Sequence, residues 1–367
     1  LADPKYSRRR FIRTTGIASG AFVVGCRSDE SAGDEDPSTG PNDAPSGSTG
    51  TGGESTGEGP IIQTGGHGGG LRGPNILLLT ADDMGWGALP AYGNTQLNTP
   101  AFDRLAAEGA VLTHAFNTSS SCSSSRATFA TGQYVQTHGV GGLINRHPEY
   151  ALPPEHPTAA SVLADVGYRT GLLGKWHIAL SNPAMYGYLE DLDSGTHSSR
   201  FTDASLAVDF IRRHRDENWF LEVNFLNTHL KPNGTYPLAE GFPVDPETIE
   251  LLAAWTMPDW TPIREMAARY FVQVLVTDFM VGQLLDVLDE LGLADDTLVV
   301  FVSDNGMPFP GNKKTLYDRG TGTPWLARWS SRISAGRRSS ALVSTVDLAP
   351  TLLDAAGLEP LPSMQGM

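Results

Sequence analysis

Four short apolar runs, each of strand length and each ending in polar residues, constrain the fold more than anything else in the chain. They cover 75–80, 168–173, 219–225 and 297–302. Near-continuous apolar character, without polar alternation, belongs to strands covered on both faces. Helical patterns lie between them, over 99–108, 125–132, 157–166, 202–215 and 262–291. In the last, Ala267, Tyr270, Phe271, Val274, Leu275, Phe279 and Leu285 recur near helical spacing. Strands alternating with helices predict an α/β fold, with a large, mostly parallel sheet sandwiched by helices. No internal repeat interrupts this pattern.

The four strands deliver polar residues to one edge. The first leads into Asp82 and Asp83, the second into Lys175 and His177, the third into His229, and the fourth into Asp304 and Asn305. In open α/β sheets, ligands bind outside the carboxyl ends of the strands. Asp82, Asp83, Asp304 and Asn305 offer only oxygen donors, and no His or Cys pair stands at zinc spacing. Such a set suits a hard cation, Ca²⁺ ahead of Mg²⁺. Singly, an Asp-Asp pair reads as a helix cap and Asp-Asn-Gly as a tight turn. Together they predict a metal site.

The chain has two cysteines, too few for a disulfide scaffold. Cys122 lies among serines at the predicted start of a helix, with Arg126 one turn further on. Free amides at a helix start favour anions. A buried small hydrophobe is the plainer reading of a lone cysteine, but the flanking serines mark a polar segment.

Charge divides the chain. The net charge is −15, from 26 Lys+Arg and 41 Asp+Glu, which disfavours sequence-independent nucleic-acid binding. Residues 1–26 carry +4, 27–71 carry −7 and 72–367 carry −12. The longest uncharged apolar stretch, 14–26, is too short to span a bilayer. The head, Ser7-Arg8-Arg9-Arg10-Phe11-Ile12-Arg13, resembles a twin-arginine export signal, and Val23-Val24-Gly25-Cys26 resembles a lipobox. The resemblance implies the twin-arginine machinery as a partner, an exported periplasmic or cell-surface location, and a lipid anchor at Cys26 as the membrane attachment. Residues 27–71, with 24 Gly, Ser or Thr among 45, read as a disordered acidic tether. The catalytic domain is expected over 72–367.

Cys122-Ser123-Ser124-Ser125-Arg126-Ala127-Thr128-Phe129-Ala130-Thr131-Gly132 resembles the signature of the type I sulfatases, within the alkaline-phosphatase-like superfamily. The stretch 74–85 around Asp82-Asp83, Gly174-Lys175-Trp176-His177, Asn227-Thr228-His229 and Ser303-Asp304-Asn305-Gly306 follow in that family's order. The run from Leu293 to Pro310, with 313–317 and Gly320-Thr321 behind it, is most similar to the heparan N-sulfatases (sulfamidases).

The resemblance implies a hydrolase that removes sulfate from sulfated saccharides, as in glycosaminoglycan degradation. It implies that a formylglycine-generating enzyme oxidises Cys122 to formylglycine, whose hydrate attacks sulfur. Asp82, Asp83, Asp304 and Asn305 would hold Ca²⁺ together with residue 122. Arg126 and Lys175 would face the nucleophile and the sulfate, His177 would be the base for sulfate elimination, and His229 the acid for the leaving group. Lys313 would clamp the sulfate, with Lys314 the adjacent alternative.

The chain has Ser124 where the family usually has Pro or Ala, a position read by the modifying enzyme. The resemblance also places the family's smaller C-terminal antiparallel subdomain beyond Met367. Two other readings stay open: a phosphonate or phosphate monoester hydrolase of the same superfamily, and a surface-anchored, catalytically silent binding protein with unmodified Cys122. His197, Tyr186 and Tyr236, in 181–200 and 233–260, are candidates either to contact a sugar or to pack, and Trp255 is expected to pack.

Overall fold

The computed structural model describes residues 73–195, 202–230 and 261–367. The expected export head with Cys26, the tether 27–71, and His197, Tyr236 and Trp255 lie outside the described residues. The elements used below are β1 (Asn75–Ala81), α1 (Pro100–Glu108), β2 (Ala110–Phe116), α2 (Cys122–Thr131), α3 (Val135–His138), α4 (Ala159–Asp165), β3 (Arg169–Lys175), β4 (Glu190–Gly195), α5 (Ala204–Arg213), β5 (Trp219–Phe225), α6 (Thr261–Glu290), β6 (Thr297–Ser303), α7 (Asp318–Thr321), β7 (Trp325–Arg328), β8 (Arg337–Ser344) and α8 (Leu348–Ala355).

The eight strands form one sheet in the order β4-β3-β5-β1-β6-β7-β2-β8. All pairs are parallel except those of β7, which runs antiparallel to both β6 and β2. The four apolar runs of the sequence are β3, β5, β1 and β6, the contiguous strands from next-to-edge to centre. Every residue of β1, β5 and β6 is buried, as expected of strands covered on both faces.

Alternate side chains of β1 feed two separate cores. Leu77, Leu79 and Ala81 pack with α1, α5 and α6, while Ile76 and Leu78 pack with α2, α4 and α8. The expected sandwich of helices on both faces is therefore present. In α6, an 18-residue stretch within Met266–Glu290 has a mean hydropathy of 1.6, apolar enough to cross a membrane, but 78% of it is buried inside the fold. Its apolarity is that of a core helix.

Periodicity missed β2, β4, β7 and β8. β4 (EDLDSG) and β8 (RRSSALVS) are the edge strands, and edges carry charge and polar residues because one side meets solvent. β7 has only four residues. β2 is broken by the outward-facing pair Thr113 and His114.

The register levels the functional edge. Ala81 pairs with both Phe225 and Ser303, so the residues after each leave the sheet in one row. The ladder continues one step, with Asp82 N–H donating to Phe225 O (3.0 Å) and Asp304 N–H donating to Ala81 O (3.1 Å). On β3, Gly174 takes φ +86°, and a Cβ there would lie 2.0 Å from Asn224 O, so only glycine lets the strand turn Lys175 into this edge.

One buried carboxylate ties the α6 layer together. Asp278 of α6 accepts from Ala101 N–H (3.0 Å) and Phe102 N–H (2.8 Å), capping the start of α1. Thr99, the N-cap by sequence, makes no side-chain cap. Burial pushes the Asp278 carboxyl up to about 8, against the pull of the two amides. Its native value thus lies above the ordinary unfolded value of about 3.9, so its contribution to stability is full below about pH 4 and is lost as pH rises through about 8. In urea unfolding, Asp278→Ala should lose about 1–2 kcal/mol at pH 6. Asp278→Asn should keep most of the cap and remove this part of the pH slope.

Candidate active site

The site is assembled at the row of strand ends. Asp82 and Asp83 follow β1, Lys175 ends β3 with His177 two residues on, His229 follows β5, and Asp304 and Asn305 follow β6. Helix α2 brings Cys122 and Arg126 over them from the face of α4 and α8. All ten residues of α2 are buried, and Cys122 is its first helical residue, at the end whose amides have no partner within the helix.

Arg126 is the keystone of the charge network. Its guanidinium donates to Asp304 Oδ2 through Nε (2.9 Å) and pairs with it through Nη2 (2.8 Å). Nη2 also reaches Asp82 Oδ2 at 3.4 Å, and Nη1 donates to Lys175 O at 3.2 Å. The Lys175 ammonium pairs with Asp82 Oδ2 at 2.5 Å. Lys313 Nζ donates to Asp83 Oδ1 (2.5 Å) and to Cys122 Sγ (3.1 Å). Asn305 Nδ2 donates to Asp83 Oδ1 at 2.7 Å, while Asn305 Oδ1 lies 3.4 Å from Cys122 Sγ. Three carboxylates thus face three fixed cations, which makes a network of this burial tolerable.

The carboxylates are not alike. Burial alone would push Asp82 up, but the charges of Lys175, His229, Arg126 and Lys313 outweigh it and hold Asp82 well below the usual range. Asp83 is raised by burial, with Asp82 adding to the effect against Lys313. Asp304 is raised by burial and by Asp82 against Arg126. Two crowded carboxylates with raised pKa values are what a divalent cation would relieve. The donor atoms of Asp82, Asp83, Cys122 and Asp304 all lie within 4.8 Å of one another. The oxygens of Asp82, Asp83 and Asp304, with Asn305 beside them, fit a hard cation, and Cys122 Sγ stands next to them.

His177 is buried at φ +58° with Nε2 3.4 Å from Asn145 Oδ1. His229 joins Asp82 and Cys122 within the same 4.8 Å limit. Burial pushes its ring down to about 4, despite Asp82, so it is neutral at pH 7. Asp82, Asp83, Cys122, Arg126, Lys175, His229, Asp304, Asn305 and Lys313 therefore converge, and His177 stands two residues past Lys175. Of the two adjacent lysines, Lys313 enters the pocket and Lys314 is exposed. Tyr186 is core: it is 1% exposed, its hydroxyl donates to Leu152 O (2.6 Å), and its ring stacks at 5.2 Å from Trp176.

Several supports had no legible signal. Thr228 donates to Asp82 O, Tyr270 OH donates to Asp83 O (3.2 Å), and Ser303 Oγ donates to Ala81 O (3.1 Å) while accepting from Met84 N–H (2.9 Å). Asn145 belongs with them; it lies in a glycine-rich loop whose pairing with His177 no spacing rule reveals.

The thiol of Cys122 is a poor nucleophile as it stands. Burial pushes it up to about 12, and Asp82 adds to that against Lys175 and Lys313. Native-state alkylation of unmodified Cys122, followed on the 119–132 peptide, should be negligible at pH 7.5 and fast after unfolding. Rapid native labelling with a midpoint near pH 8.5 would contradict this environment.

Comparison with known proteins shows the family. The sulfatase family profile matches residues 74–358. Human N-sulphoglucosamine sulphohydrolase is 32% identical over 308 residues, covering 76% of this chain and 60% of the human protein, so the chain spans about three fifths of that relative's length. The PsFucS1 sulfatase from Pseudoalteromonas sp. superposes with a TM-score of 0.61 at 25% identity, covering 81% of this chain and 71% of its own. The phosphonate monoester hydrolase of Agrobacterium radiobacter shares the fold at a TM-score of 0.58 and 22% identity, covering 78% and 74%. By the extent of the profile match and by this identity, the chain belongs to the sulfatase family.

Proposed function

We propose that this protein hydrolyses sulfate esters or sulfamates of saccharides, using residue 122 as formylglycine and a Ca²⁺ ion held by Asp82, Asp83, Asp304 and Asn305. The observation that carries the reading is the convergence of Cys122 Sγ, four oxygen donors and the Lys313 ammonium at the ends of β1 and β6. The likeness to a sulphoglucosamine sulphohydrolase favours an N- or O-sulfated amino sugar as substrate.

When bound, Ca²⁺ would polarise the sulfate and favour the ionised nucleophile, and the hydrated aldehyde would offer one hydroxyl to attack sulfur and a second to expel sulfate afterwards. The protein's own groups do the rest. Arg126 holds Asp82 and Asp304 in place, so the two oxygen donors on neighbouring strands keep a fixed separation. Lys313 and Lys175 face the sulfate oxygens and stabilise the charge that grows on them. His229 gives a proton to the departing oxygen or nitrogen. A bound substrate anion counteracts the burial that empties this ring of its second proton. His177 takes the proton whose removal releases sulfate.

The N-terminal residues extend the proposal. A twin-arginine signal with Cys26 as a lipidation site would place the protein at the periplasmic or outer surface after maturation by a formylglycine-generating enzyme.

Mass spectrometry of the 119–132 peptide should show a loss of about 18 Da, exchange of H₂S for O, when the modifying enzyme is co-expressed. An unshifted peptide would mean a silent binding protein. The matured protein should release sulfate from 4-nitrophenyl sulfate or an N-sulfated glucosamine. Turnover of a phosphonate monoester with neither sulfate released would assign it to the other hydrolase class. His177→Ala and His229→Ala should each lower kcat about 10²–10⁴-fold. Ca²⁺ at a hundred times its Kd should raise the unfolding free energy by about 2.7 kcal/mol, a gain that Asp304→Ala removes.

A further inference from the structure

The protein is acidic, yet three exposed cations lie on segments that border the site. Among the residues whose side chains are described, the exposed lysines and arginines with no ion pair, side-chain hydrogen bond or ring contact are Arg146, Lys314 and Arg319. The others at the surface are in ion pairs, hydrogen bonds or ring contacts. All three lie on segments that border the site. Arg146 follows Asn145, which contacts His177, and its loop is pinned to α2 by Ile144 N–H donating to Ser123 Oγ (3.4 Å). Lys314 follows Lys313, and its own N–H donates to Ser120 O (3.1 Å), two residues before Cys122. Arg319 lies in α7, which packs its backbone on Gly306: a Cβ there would sit 1.8 Å from Arg319 O.

Backbone strain singles out the same place. The non-glycine residues with positive φ among those described are Asp83, His177, Lys314 and Asp193. Three of the four are at this site. Such conformations persist where the surroundings over-determine them, and they cluster at functional positions. Lys314 shares this property with two pocket residues although its side chain stays outside the pocket. Acids on these segments do not cancel the rim. Glu149 and Asp318 are the acids within five residues of the three cations, so the balance there stays positive.

We propose that Arg146, Lys314 and Arg319 form a cationic rim that binds a second anionic group, sulfate or carboxylate, on a polyanionic saccharide whose neighbouring sulfate enters the pocket. The proposal rests on the sulfatase reading of the pocket for the group that enters it. The local positive field overcomes the acidic body because exposed charges beyond about 8–10 Å are screened. A saccharide carrying one sulfate would gain nothing from the rim.

Binding can be read apart from turnover in the whole chain carrying Cys122→Ala, with a fluorescent, multiply sulfated oligosaccharide as probe. The triple variant Arg146→Ala, Lys314→Asn, Arg319→Ala, with Asn chosen because it tolerates the left-handed backbone, should weaken Kd about tenfold. It should also flatten the dependence of Kd on salt. A monosulfated sugar should bind both forms alike. Unchanged affinity in the triple variant, or equal losses on both sugars, would overturn the rim. So would equally tight binding of a DNA oligonucleotide of the same charge, which would make it a general polyanion patch. Failure of the matured protein to release sulfate, with rim-dependent binding intact, would sink the proposed activity and leave the rim standing.

Discussion

The structure depends on one buried ionic junction, Arg126 between Asp304 and Asp82. It joins helix α2 to two adjacent strand ends, and every functional group is placed relative to it. Asp82 then holds Lys175, Asp83 holds Lys313, and Lys313 reaches Cys122. Breaking one partner out of such a network costs about 3–5 kcal/mol because an unpaired charge stays buried. Three carboxylates and three cations balance, so the cluster can fold before any metal arrives. A divalent cation would then leave an excess of two positive charges, suited to a sulfate group and an attacking oxygen. The junction serves stability and chemistry with the same atoms.

How the sheet is built explains why the junction is so well defined. Register on either side of β1 sets Asp82 and Asp304 in one row, and neither can slip without moving an entire buried strand from one core to the other. The site therefore stands on the fully buried centre of the sheet, with its outer residues on loops. That division suits a pocket whose inner end performs one reaction and whose rim selects among substrates.

Much of this was legible in the sequence, for physical reasons. β1, β3, β5 and β6 are covered on both faces, so they must be apolar throughout, and the polar residues after them stand out. Cys122 and Arg126 are four apart on one helix face and could be paired from spacing alone. The edge strands β4 and β8 were illegible because solvent accepts polar residues there. Asp278 was illegible because it caps a helix 177 residues away in sequence, and Asn145 because its loop carries no periodicity. Lys313 and Lys314 are neighbours with the same chemistry; only the turn of the backbone, with Lys314 at φ +66°, separates pocket from rim.

The central claim is that the three carboxylates and Asn305 form one cation site beside residue 122. It is tested most directly by an anomalous difference map from crystals of the matured protein grown with Ca²⁺ and measured at long wavelength. One strong peak is expected, bounded by Asp82, Asp83, Asp304, Asn305 and side chain 122. A Ca²⁺ peak elsewhere, or none with Lys313 still seated on Asp83, would contradict it.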